Sequence, residues 1–172
     1  MKEMKAYHQF HSPLENNTEK LISMLWSVKR FEVLSPFELY AILQLRNIVF
    51  AVEQSCVYQD MDNKDQASYH LMCWQNEQLL AYSRILPPGI AYTEPSIGRV
   101  VTAPKARRTG MGKKLIEKSI EHLYSLYPQQ NIRIGAQCYL RKFYADFGFK
   151  EQGNIYLEDG IKHIEMVKFL EY

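Results

Sequence analysis

Only three cysteines occur in the 172 residues, Cys56, Cys73 and Cys138, scattered and without a CxxC spacing. Neither a disulfide framework nor a zinc knuckle is indicated, and the thiols read as buried or bystander groups. No run approaches the roughly 18 consecutive apolar residues of a membrane span. The opening MKEMKAYHQFHSPLENNTEK has no apolar core of a secretory signal, so the expected address is cytoplasmic, with no membrane partner. Charge of one sign is lacking too: 21 Lys and Arg against 19 Asp and Glu leave a net +2, too little to argue for nucleic acid. No internal repeat or low-complexity segment interrupts the chain. With 47% hydrophobic and 23% charged residues, a chain of this length reads as one globular domain that folds in water.

What is present is clear punctuation. Residues 1–34 show no clean period, and 1–25 are set aside as an N-terminal extension of uncertain role before a single domain over 26–172. His8 and His11 form an HxxH there, but without a third ligand no metal site is expected. At Ser35-Pro36-Phe37-Glu38 a helix begins: Ser35 suits the N-cap, Pro36 the first turn and Glu38 a capping box, the cap contributing about 1 kcal/mol. Leu39, Ile42, Leu43, Val49 and Phe50 keep one face apolar to about residue 50, where the acidic loop YQDMDNKD breaks the pattern. SYHLMCW (68–74) and QLLAYSRIL (78–86) read as a hairpin, SIGRVVTA (96–103) as a third strand, and Ile116, Ile120, Leu123, Tyr124 and Tyr127 fall at helical spacing before Pro128. NIRIGA (131–136) alternates as a strand. YLRKFYADF (139–147) is a short helix ended by Gly148, and Asp159-Gly160 joins a closing hairpin. This order implies a mixed α/β sheet, mostly antiparallel, with helices on both faces.

Lys105, Arg107, Arg108, Lys113 and Lys114 place five cations within residues 105–114, a run that by itself reads as a solvated face. Its position says more. The segment RVVTAPKARRTGMGKKL passes from strand to helix through Gly110 and Gly112. The first N–H groups of a helix have no internal partner, and the helix dipole adds roughly half a positive charge there. Glycine lets the backbone approach a bulky group, so a phosphate or pyrophosphate suits the segment. A Walker loop is excluded, because Arg107 stands five positions before Gly112 and Lys114 follows Lys113. A dinucleotide fingerprint is excluded by Leu115 at the third glycine position.

The run resembles the acetyl-CoA pyrophosphate loop of the GNAT superfamily of N-acetyltransferases, and FYADFGF (143–149) resembles that family's tyrosine helix ending in Gly-Phe. LYAILQLRNIVFAVEQSCVYQDMD, SIGRVV, AQCYLRKFYADFGF and YLEDGIKHIEM are similar to the ElaA-like branch, so the likeness covers about residues 26–170. The resemblance implies a GNAT acyl-CoA N-acyltransferase fold and transfer of an acetyl group from acetyl-CoA to a primary amine by direct attack. It assigns Val100, Val101 and Thr102 to the pantetheine and oxyanion, and the loop Arg107, Arg108, Thr109, Gly110, Met111, Gly112 and Lys113 to the pyrophosphate. Gln137 joins this set where some branches keep an asparagine. Tyr144 sits where the family keeps an acid for the departing thiolate; the bland alternative is aromatic packing.

The amine poses a difficulty, since an ammonium of pKa near 10.4 is neutral in only about one molecule in 2,500 at pH 7, a cost of roughly 4.6 kcal/mol. Many relatives carry a glutamate five residues before the position of Gln137, but Ile132 stands there. Candidates for the acceptor site are therefore Glu53, Gln54, His70, Arg99 and His163. Glu53 is alternatively a salt-bridge partner, each histidine a satisfied structural group, and Arg99 a partner for a carboxylate such as Glu53 rather than a wall of the site. Asp60, Asp62 and Asp65 either attract a cationic small molecule or peptide terminus or keep a loop soluble. A non-catalytic acyl-CoA-binding domain is the alternative that the missing glutamate favours. Monomer and homodimer both remain open.

Overall fold

The computed structural model of the protein describes residues 23–170, so the HxxH at His8 and His11 lies outside the described residues. The strands are β1 (Leu25–Arg30), β2 (Tyr69–Gln75), β3 (Gln78–Leu86), β4 (Ser96–Thr102), β5 (Ile132–Gln137), β6 (Phe149–Glu158) and β7 (Ile161–Lys168). They form one seven-stranded sheet in the order β1-β2-β3-β4-β5-β7-β6, antiparallel throughout except for the parallel pair β4 and β5. The helices are α1 (Pro36–Arg46), α2 (Met111–Leu126) and α3 (Arg141–Ala145). A mixed sheet flanked by helices is what the element order in the sequence implied.

At the start of α1 the capping box is complete: Glu38 N–H donates to Ser35 Oγ at 3.2 Å, and Ser35 N–H donates to the Glu38 carboxylate at 2.9 Å. Lys29 on β1 meets the same carboxylate at 2.8 Å, tying α1 to the edge strand. Beyond Arg46 the expected helix changes winding, and Asn47–Glu53 is π-helical, closing on Cys56 N–H donating to Ala51 O at 3.1 Å. Such wide turns recur at functional sites. β1 was not legible in the sequence, where Trp26 and Val28 alternate with Ser27 and Lys29 over too few residues to stand out. Both apolar side chains pack against the main core.

Two cores flank the sheet. Under α2 and α3 lie Leu71, Ile85, Ile97, Leu115, Leu123 and Ile134. Under α1 and the π-helical segment lie Ile42, Leu45, Met72, Tyr82 and Val101. Each fully buried aliphatic side chain contributes about 1.5–3 kcal/mol. On α2, Met111, Leu115, Ser119 and Leu123 recur every fourth residue on the buried face. Ser119 donates to Leu115 O at 2.7 Å and meets Ser83 Oγ at 2.8 Å, so its polarity is satisfied where the helix crosses β3. Asp159 (φ +49°) and Gly160 (φ +80°) are both left-handed, the conformation a type I′ turn requires between β6 and β7.

The sheet opens at its centre. Among the described residues β4 and β5 are paired only at Ser96 with Arg133, and the strands part toward Thr102 and Gln137. A bulge in β4 accompanies the opening: the register with β3 shifts between Tyr82 and Arg84, and Arg99 takes φ +51°. An extra residue bends a strand and increases its twist.

Candidate active site

The opening between β4 and β5 ends at the glycine loop. Ala103 N–H donates to Leu80 O on β3 at 2.8 Å, so β4 stays bonded to β3 up to the loop while its other edge borders the opening. Val101 is 3% exposed, with its side chain in the core under α1, so what it can offer a ligand is its backbone. Past the turn Pro104–Ala106, Arg108 (φ +62°) and Gly110 (φ +82°) are left-handed. Such alternation makes successive N–H groups converge into an anion-binding concavity.

Gly110 is also the N-cap of α2 and offers no side-chain cap; the first backbone bond of the helix is Lys114 N–H to Gly110 O at 3.2 Å. The N–H groups of Met111, Gly112 and Lys113 therefore precede the first helical bond. The Met111 side chain is in the core, leaving only its amide for a ligand. Arg108 and Lys113 are exposed beside the loop, and Thr109 Oγ1 donates to Ala106 O at 2.8 Å, bracing it. Arg107 turns away: its Nη2 lies 2.7 Å from Glu53 Oε2. Arg107 and Glu53 thus hold the loop to the π-helical segment, which is the salt-bridge alternative for Glu53.

Tyr144 rides on α3, against the same loop. Phe143 Cζ stands 3.9 Å from the place a Cβ on Gly112 would occupy, so α3 packs onto the start of α2. The Tyr144 ring sits edge-on to Phe143 at 5.2 Å and to Phe149 at 6.0 Å. Burial pushes its hydroxyl well above the ordinary phenol range, and nearby Tyr139 adds to this, so the phenol stays protonated at neutral pH.

Gln54 and Gln137 meet across 83 residues of chain, Gln137 Nε2 donating to Gln54 Oε1 at 3.3 Å. This contact lays the end of the π-helical segment over the end of β5. His163 on β7 stands opposite Gln137 in register and stacks on Tyr156 of β6, 5.8 Å between ring centres. Ile132, in the position where many relatives keep their glutamate, is 0% exposed in the core.

His70 and Arg99 behave otherwise than the acceptor-site expectation held. His70 is fully buried, its Nε2 donating to Asp65 O at 3.0 Å and its Nδ1 accepting from Tyr82 at 2.9 Å. Burial lowers its pKa and keeps it neutral, so it is a structural group. Arg99 Nε lies 2.7 Å from Asp60 Oδ1, and its Nη2 lies 3.3 Å from Asp62 Oδ2. The carboxylates it pairs with are these, not Glu53. Asp60, Asp62 and Asp65 neither attract a cation from solvent nor solubilise a loop. Three buried or half-buried arginines engage them: Arg46 holds Asp60 and Asp65, Arg84 holds Asp62 and Asp65, and Arg99 holds Asp60 and Asp62. Sequence reasoning missed Arg46 and Arg84, although Arg84 gives the signal that singled out Arg99, a cation in an apolar strand. The same holds for Tyr92 and Tyr156, whose hydroxyls meet above Gly135, 3.0 and 2.8 Å from where a Cβ on that glycine would stand.

Among the described residues no three His, Cys, Asp or Glu are disposed to hold a metal, and no helix is long and apolar enough to cross a membrane. A sheet parted at its centre, with left-handed residues and an uncapped helix start at the mouth of the opening, is the layout of the acyl-CoA N-acyltransferase fold. The chain belongs to the GNAT acetyltransferase family, whose domain model matches residues 41–170. Protein ElaA of Escherichia coli strain K12 is 39% identical over 145 residues, covering 83% of this chain and 95% of ElaA, which makes this an ElaA-like member. The crystal structure of Escherichia coli ElaA matches with a TM-score of 0.80 at 38% identity, covering 85% of this chain and 99% of that one. That of an acyl-CoA N-acyltransferase from Pseudomonas aeruginosa matches with a TM-score of 0.81 at 40% identity and the same coverage of both chains. The protein is a GNAT-type acyltransferase.

Proposed function

We propose that the protein transfers an acetyl group from acetyl-CoA to the nitrogen of a primary amine, on a small molecule or a peptide, by direct attack. The observation that carries this reading is the opening between β4 and β5 leading to the uncapped start of α2, with left-handed Arg108 and Gly110 at its mouth. The residues fit the donor. The amides of Gly110, Met111, Gly112 and Lys113 take the pyrophosphate, with the Arg108 and Lys113 charges beside them. The backbone groups of Val100, Val101 and Thr102 at the end of β4 take the pantetheine, and a strand N–H at Val100 or Val101 serves the oxyanion. When bound, the donor supplies the thioester carbon that is attacked and the thiolate that leaves. The protonated Tyr144 hydroxyl gives that thiolate a proton.

The test is calorimetric titration of acetyl-CoA and of free CoA into wild type and a Gly110→Glu, Gly112→Glu variant. The expected outcome is binding to the wild type that the glutamates abolish while circular dichroism shows an intact fold. Equal binding to both proteins would remove the pyrophosphate assignment. Thioester consumption that rises with added amine separates transfer from binding alone.

A further inference from the structure

Resting on that reading, we propose that His163 is the catalytic base, taking the proton of an amine that binds on the β5–β7 face beside Gln137 and the paired hydroxyls of Tyr92 and Tyr156. The Nδ1 of His163 lies 2.9 Å from Ile161 O. A carbonyl only accepts, so Nδ1 carries the proton and the neutral ring keeps its lone pair on Nε2. Stacking on Tyr156 and the register opposite Gln137 fix the ring beside the end of β5 that borders the opening.

β5 is an interior strand, yet Gly135 is exposed, and the Tyr92 and Tyr156 hydroxyls meet over it, presenting polar groups beside His163. Gly135, Gln137, Glu165 and His163 share one face of the β5–β7 ladder: Gly135 pairs with Glu165 and Gln137 with His163. Arg133, next on that face, serves two carboxylates, Glu94 at 2.7 Å and Glu165 at 2.8 Å. One guanidinium against two carboxylates leaves negative charge, which suits an acceptor that arrives as an ammonium. The Asp60, Asp62 and Asp65 cluster, matched by three arginines, offers none.

The step balances as follows. The ammonium first passes one proton to His163 Nε2, which hands it to solvent. The neutral nitrogen then bonds to the thioester carbon, the C–S bond breaks and its electron pair leaves with sulfur, which takes a proton from Tyr144. The nitrogen gives up its second proton through His163 as the amide forms, and Tyr144 regains one from solvent, so amide, free CoA and one released proton result.

His163→Ala and His163→Gln are compared with wild type over a series of primary amines of graded basicity at one pH, with and without added imidazole. The wild type is also followed by NMR of its histidine rings as acceptor amine is added. Expected are unchanged acetyl-CoA binding by calorimetry, a fall in kcat/KM of about a hundredfold for alkylamines, and a smaller fall for weakly basic amines that are already neutral. Imidazole partly restores His163→Ala, and the His163 ring signals move on adding amine. Equal rates in wild type and variants, or a uniform loss that imidazole does not relieve, would overturn the role of His163 and leave the transferase reading standing. Absence of amine-dependent turnover in wild type would overturn both.

Discussion

Arg46 Nη1 lies 2.9 Å from each carboxylate oxygen of Asp65, with the two side chains 0% and 9% exposed. The pair anchors α1 to the loop before β2, and through Asp60 and Asp62 it reaches Arg99 on the β4 bulge. The left-handed Arg99, strained by about 1–3 kcal/mol, is held there by these carboxylates. The charges beside the opening of the sheet are thus matched among themselves.

Removing one member of such a cluster strands a buried charge. Arg46→Ala is expected to lower the unfolding free energy by about 3–5 kcal/mol, read from urea midpoints at constant m. A loss within about 1 kcal/mol would place the pair among exposed ion pairs and refute its structural role.

Acid should destabilise the protein in stages. Burial opposes ionisation of Asp62 and Asp65, but the guanidinium of Arg84 on the first, and those of Arg46 and Arg84 on the second, hold both carboxyls below the ordinary range. Hydrogen bonds from Arg133 draw Glu94 from an ordinary 4.5 down to about 2. Burial lowers His70 as well, from 6.5. All four are depressed in the folded state, so their stabilisation is complete above the unfolded values and lost as pH falls through the folded ones. Stability is expected to decline below about pH 6.5 through His70 and more steeply below about 4.5 through the carboxylates. Midpoints in urea at several pH values test this, and a stability maximum near pH 4 would contradict it.

Tyr144→Phe removes one oxygen and keeps the edge-on packing against Phe143 and Phe149. If the hydroxyl serves the leaving thiolate, kcat falls by about a hundredfold while the acetyl-CoA KM and the thermal midpoint barely move. Unchanged turnover would return Tyr144 to a purely packing role.

Local chemistry was legible in the sequence. Ser35 and Glu38 close a capping box within one turn, Asp159-Gly160 accepts two left-handed residues, and Gly110 after a basic run opens a helix; each rests on dihedrals and contacts a few residues apart. What only the tertiary structure decided is which polar groups meet. Residue types in a strand and a loop do not say whether Arg99 finds Glu53, Asp60 or open solvent, nor that Gln54 lies against Gln137. Those pairings depend on the register of strands far apart in the chain and on the winding change after Arg46. Such long-range geometry is set by the packing of two cores against one sheet, and it drew His70, Arg99 and the three aspartates into one buried network while bringing Gln54, Gln137 and His163 together at the end of β5.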